Sequence, residues 1–153
     1  MKMNSFSTFI DGVLVTELKQ INDQRGAVLH MLRSDAGDFT RFGECYFSEV
    51  LPGAVKAWKL HTLQTQNLAV PIGRLKLVIY DDRQNSNSRY SLFTIELGRP
   101  DTYVRVKVPP GLWYGFACIG NSNALLVNCS DMPHEKNESK VLDIYDKSIP
   151  YSW

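Results

Sequence analysis

The sequence predicts an all-β fold, a sandwich or small barrel of short strands, and three observations predict it. Short runs of β-branched, aromatic and other apolar residues recur at near-regular spacing through the 153 residues. Gly, Pro, Asn and Asp clusters divide these runs, as turns between strands require. No segment keeps a helical period over about eleven residues, the window in which an amphipathic helix declares itself.

The elements follow in order. Residues 1–12 form a short polar lead with one edge strand expected around Phe6–Ile10. Val13–Ile21 reads as a first full strand, NDQRG at 22–26 as a turn and Ala27–Leu32 as the next strand. A loop covers Arg33–Asp38, and β-branched and aromatic residues return from Cys45 to Val50. The central stretch, PGAVKAWKLHTLQTQNLAVPIGRLKLVIY from Pro52 to Tyr80, gives strands over Val55–His61, Leu68–Ile72 and Leu75–Tyr80. A polar break and Gly73 separate them. After the turn-rich DDRQNSNS come Tyr90–Leu97, Tyr103–Val108, Leu112–Ile119 and Ala124–Cys129. From Ser130 the chain turns polar and closes on IPYSW, an apolar tail expected to dock on the strands.

Composition narrows the function class. The length fits one domain, residues 1–153, with a substantial core. A net charge of +1 and the absence of any basic run of five give no bulk attraction to nucleic acid or anionic membrane. FSTFIDGVLV near the N-terminus is too broken for a signal sequence. No apolar run approaches the ~20 residues that cross a bilayer. Cys45, Cys118 and Cys129 are an odd, scattered set that suits reduced thiols in a cytoplasm.

Five pieces in order carry a resemblance: DQRG at 23–26, PGAVKAW at 52–58, Gly73 followed by a β-run and Asp81-Asp82-Arg83, PPGLWYGF at 109–116, and the closing IPYSW. Together they resemble the dTDP-4-dehydrorhamnose 3,5-epimerase family, a branch of the cupins, over roughly residues 13 to 153. The resemblance implies a cupin-type jelly-roll barrel, mostly antiparallel with little helix, and a homodimer. It also implies metal-independent, cofactor-free epimerisation of a nucleotide-linked 4-keto-6-deoxy sugar.

The metal question is settled by donor type. Cupin metal motifs place histidines six and eight residues after a glycine and three after the glycine of PxG. Counted from Gly53 and Gly111, those positions hold Lys59, His61 and Tyr114. An ammonium has no lone pair to give, and His61 alone does not hold a transition metal, so a metal-free site is expected.

Epimerisation beside a ketone needs a base for the α-proton, groups that hold the enolate, and an acid for the opposite face. By resemblance, the family's base falls on Lys59 without gaps and on His61 if the match slides by two. Both lie on one face of an extended strand, so the choice stays open. The family arginine falls on Lys56, its enolate-steadying lysine near Gln66, and its acid tyrosine on Asn128. Tyr114 replaces a histidine and is the candidate acid. The aspartate that partners the base falls past Trp153. Trp113 is a candidate sugar contact, and Arg25 could grip a diphosphate through its fork of donors. Plainer readings accompany these: a hydrogen-bonded barrel histidine for His61, core or rim for Trp113 and Tyr114, and a solvated turn for Arg25. Asp81 and Arg83 read as a structural ion pair, and His134 and Glu135 as solvated surface. Two functions follow, an epimerase of a dTDP-linked keto sugar or a cupin that binds a sugar nucleotide without turning it over.

Overall fold

The computed structural model describes residues 4–153, so the first three residues of the polar lead lie outside it. Thirteen strands and no helix make up the described residues. They are β1 (Ser5–Ser7), β2 (Leu14–Glu17), β3 (Gln20–Asp23), β4 (Gly26–Leu29), β5 (Glu44–Val50), β6 (Val55–His61) and β7 (Gln66–Ile72). The remainder are β8 (Arg74–Tyr80), β9 (Leu92–Gly98), β10 (Val104–Val108), β11 (Trp113–Cys118), β12 (Ala124–Ser130) and β13 (Ser139–Val141).

A six-stranded sheet runs β1-β2-β10-β7-β12-β5 and a five-stranded sheet β13-β6-β11-β8-β9, every pairing antiparallel. The two face each other as a cupin-type jelly roll, and β3–β4 stands apart as a hairpin. Period-2 alternation explains the packing. On β8, Leu75, Leu77 and Ile79 point between the sheets and meet Val106, Val108, Leu68 and Phe116. Val78 and Tyr80 point the other way, into a second cluster with Trp58, Leu60, Trp113 and Ile149. A strand with both faces buried reads as an almost unbroken apolar run, which is what RLKLVIY is.

The tail docks as expected. Ile149 is buried, and Tyr151 and Trp153 pack edgewise and tilted against Trp58. The expected strand Val13–Ile21 is two strands, because Leu18 turns in to pack on Ala69 and Tyr103 and ends the first of them. The polar segment after Ser130 also contributes β13, which pairs with β6.

One irregularity positions the site. Opposite β11, Tyr114 aligns with Lys59 but Phe116 with Lys56, so three steps of β6 answer two of β11. This bulge re-phases β6. Gly115 accommodates it: a Cβ there would lie 2.4 Å from the Ala57 Cβ and 2.9 Å from the Trp153 ring.

Candidate active site

Between the sheets, a cavity of about 370 Å³ opens beside β6 and β11, within the usual range for a small-molecule site. Leu68, Phe116 and Leu126 supply apolar wall, and Tyr46, Ser48, Lys56, Lys59, Tyr114 and Asn128 the polar groups. Because of the bulge, Lys56 and Lys59 both line it although three residues apart, a spacing that puts side chains on opposite faces of a regular strand. No Asp or Glu among the described residues lines the cavity. Lys56 donates to the Ser48 hydroxyl at 2.9 Å and the Glu49 carbonyl at 2.7 Å. Lys59 enters no ion pair among the described residues.

Asn128 and Gln66 stand together. The Asn128 amide donates to the Tyr46 hydroxyl at 2.8 Å and to the Gln66 side-chain oxygen, and Gln66 donates onward to Gln64 at 3.2 Å. Gln66 is fully buried and reaches the cavity through Asn128. Burial raises the Tyr46 phenol above its ordinary pKa and raises Tyr114 further, so both hydroxyls keep their protons near neutrality.

His61 closes the end of β6. Its ring lies nearly parallel to Tyr114, 6.1 Å between centroids. Nδ1 meets the Glu138 Oε2 at 2.6 Å, and the other Glu138 oxygen accepts the backbone N–H groups of Leu63 and Gln64 at 2.9 Å each. Desolvation holds the imidazole below its usual pKa against the pull of Glu138. Desolvation also opposes the Glu138 charge, but the two backbone donors and His61 outweigh it and lower its pKa. The pair is therefore a neutral imidazole on a carboxylate. A carboxylate only accepts, so Nδ1 carries the hydrogen and Nε2 keeps its lone pair. That Nε2 is buried without a partner among the described residues.

Two of the other candidates stand elsewhere. Trp113 is beside Tyr114 in sequence and so on the opposite face; it packs in the outer cluster and donates Nε1–H to Asp82 at 3.2 Å. Arg25 caps the β3–β4 hairpin, exposed and paired with Asp23 at 2.8 Å, outside the cavity. Asp81 and Arg83 form the ion pair read from sequence, with Ser86 and Ser88 also bonded to the carboxylate. Glu138 was missed. Its only sequence signal was a carboxylate in a tail that reads as solvated throughout.

A family model for dTDP-4-dehydrorhamnose 3,5-epimerase matches residues 7–153. The chain belongs to this family. A probable low-salt glycan biosynthesis epimerase of Haloferax volcanii, Agl13, is 33% identical over 144 residues, covering 93% of this chain and 88% of that one. The spore coat polysaccharide biosynthesis protein SpsL of Bacillus subtilis is 26% identical over 146 residues, covering 94% and 96%. Among solved structures, a dTDP sugar isomerase from Desulfovibrio desulfuricans G20 superposes with a TM-score of 0.93 at 48% identity, over 95% of this chain and 92% of that one. Cupin fold and family agree with the motif order in the sequence.

Proposed function

We propose that this protein epimerises a dTDP-linked 4-keto-6-deoxy sugar on the way to a surface polysaccharide. The observation that carries the reading is the grouping at one cavity of Lys59 and Tyr114, with the His61–Glu138 pair directly behind Tyr114. His61 is the base, a neutral imidazole oriented by a carboxylate. Tyr114, its phenol kept protonated by burial, is the acid. Lys56 and Lys59 supply positive charge where the enolate oxygen develops, and Asn128, braced by Gln66, a neutral hydrogen bond. Metal-independent chemistry suits this donor set, in which an ammonium stands at the first imidazole position. The names of the relatives support the carbohydrate setting.

The protein works in this reading as a homodimer in the cytoplasm. Three free thiols suit a reducing compartment. Phe6 on β1 and Phe47 on β5, at the two edges of the larger sheet, are 54% and 64% exposed, as faces awaiting a partner would be. Light scattering at micromolar concentration should give twice the chain mass; a monomer would refute the assembly.

The test of activity is incubation with dTDP-4-keto-6-deoxyglucose in deuterated water. Deuterium should enter the sugar at the carbons beside the ketone. His61→Asn should abolish exchange and leave binding nearly intact. A second reading, a sugar-nucleotide-binding cupin without turnover, draws on the sealed position of the imidazole, which does not itself line the cavity. Binding with no exchange decides for that alternative.

A further inference from the structure

The epimerase reading puts its base and its acid on one wall. His61 ends β6 and Tyr114 lies on β11 with its ring nearly parallel to the imidazole, and both strands belong to the five-stranded sheet. Lys59, the other base candidate from the sequence, is on β6 as well. Inversion returns a proton to the face opposite the one it left, so the facing sheet must carry a donor. Among the described residues, that sheet lines the cavity with Tyr46, Ser48, Leu68, Leu126 and Asn128. The leucines have no exchangeable proton, the amide does not ionise, and a serine hydroxyl is a far weaker acid than a phenol. Tyr46 is the group that remains.

A chain of amides sets the Tyr46 hydroxyl. Gln64 donates to the Pro133 carbonyl at 2.9 Å, Gln66 donates to Gln64 at 3.2 Å, and Asn128 donates to Gln66 and to the Tyr46 oxygen. The Asn128 side-chain oxygen is occupied by the Asn67 backbone N–H at 3.2 Å, so its NH₂ group is the end that faces Tyr46. The Tyr46 oxygen therefore accepts, and its own hydrogen has no acceptor among the described residues and is free for the cavity. Tyr46 also stands near Tyr114: burial first, and then the proximity of Tyr46, raise the Tyr114 pKa.

We propose that Tyr46 is a second catalytic phenol, the donor that protonates the sugar carbon from the six-stranded sheet, while Tyr114 serves the oxygen of the enolate. The proposal rests on the epimerase reading and divides its acid role between two walls. The enolate carbon takes the Tyr46 hydrogen: the phenol O–H bond breaks, the enolate electron pair forms the new C–H bond, and the C=O bond is restored. The phenolate left behind is held by the Asn128 N–H. Tyr46 is 37% exposed, so it regains a proton from water as the base gives up the one it took. Atoms and charge balance with no oxidant, reductant or second substrate.

The test separates exchange from inversion. Wild-type protein and Tyr46→Phe, which removes only the hydroxyl, are incubated with dTDP-4-keto-6-deoxyglucose in deuterated water. Proton NMR then reads deuterium content and, from the ring couplings, configuration. The wild type should place deuterium at inverted carbons. Tyr46→Phe should bind dTDP as the wild type does and lose inversion by about 10²–10⁴-fold. Its enolate, left without a donor, gives the base time to trade its proton for deuterium, so exchange should continue with retained configuration. Tyr114→Phe should lose exchange and inversion together. Four results overturn Tyr46 as the donor and leave the epimerase reading standing. They are inversion by Tyr46→Phe at the wild-type rate, loss of its exchange along with its inversion, loss of its dTDP binding, or exchange with retention in Tyr114→Phe. No exchange in the wild type overturns both.

Discussion

Glu138→Gln should slow deuterium exchange about 10²–10⁴-fold while the nucleotide sugar still binds, the size of effect attached to a general base and its orientation. The argument is one of tautomers. Glu138 spends one oxygen on the Leu63 and Gln64 backbone N–H groups and the other on His61 Nδ1. In the glutamine variant the side-chain oxygen can keep the two backbone donors, which leaves the NH₂ group facing Nδ1. Nδ1 must then accept, the hydrogen moves to Nε2, and the lone pair that would take the α-proton is gone. The fold should suffer little, because a charged hydrogen bond is exchanged for a neutral one at a cost of about 1–2 kcal/mol. Nitrogen NMR of the His61 ring reports the tautomer independently of turnover. A second readout is pH. Burial sets the His61 pKa below the ordinary value of about 6.5, so the acid limb of the wild-type exchange profile should lie beneath that pH. Exchange unchanged in Glu138→Gln would remove His61 from the base position and leave Lys59.

The parts of the molecule that local chemistry dictates were readable in advance. Pro52-Gly53 and Gly73 punctuate the central strands, and Val55–His61 spans the same residues in sequence and structure. Gly73 sits at φ 75° with Ala124 Cα 2.5 Å from where a Cβ would be, so the β7–β8 turn admits only glycine. Alternation lets only one of Trp113 and Tyr114 face inward, but it does not say which: both were candidates, and the structure puts Tyr114 at the cavity and Trp113 in the outer cluster. The bulge was not readable. It depends on Gly115 of a partner strand yielding space to Ala57, and it is what adds Lys56 to Lys59 on one wall. Glu138 was hidden for a similar reason. It lies 77 residues from His61, in three-residue β13's lead, where the strand is too short to show a period and the carboxylate is buried only by tertiary contact. Pairings made across sheets are decided by topology, and a single sequence states topology only through its turns.

The largest loss of stability should come from Asp38→Asn, about 3–5 kcal/mol, and it should exceed that of Arg105→Met. Arg105 on β10 is fully buried, on the face of the larger sheet turned away from the cavity. Its guanidinium donates to Asn67 at 2.6 Å, to both Asp38 oxygens at 2.8 and 2.9 Å, and more distantly to Thr16. Nε has no acceptor among the described residues. Asp38, on the long connection between β4 and β5, is the one carboxylate among the described residues paired with this cation, and Lys107 grips the Asp38 carbonyl beside it. The two partners are not equivalent. Without Arg105, Asp38 can rehydrate, since its side chain already keeps 15% of its exposure. Without the Asp38 charge, a guanidinium that cannot shed its proton stays sealed in the sheet, and the loop has lost the contact that pins it. The double variant should therefore recover part of the Asp38→Asn loss, a coupling that a double-mutant cycle in urea reads directly. Acid gives a second check. Burial opposes the Asp38 charge, but the bonds and charge of Arg105 outweigh it, with Lys107 adding to them, and its folded pKa is lowered. Its stabilisation is thus complete above the unfolded carboxylate pKa of about 3.9 and disappears as pH falls through the lower folded value. Wild type and Asp38→Asn should differ most near neutrality and converge in strong acid; equal stability of the two at pH 7 would show that Arg105 finds its counter-charge elsewhere.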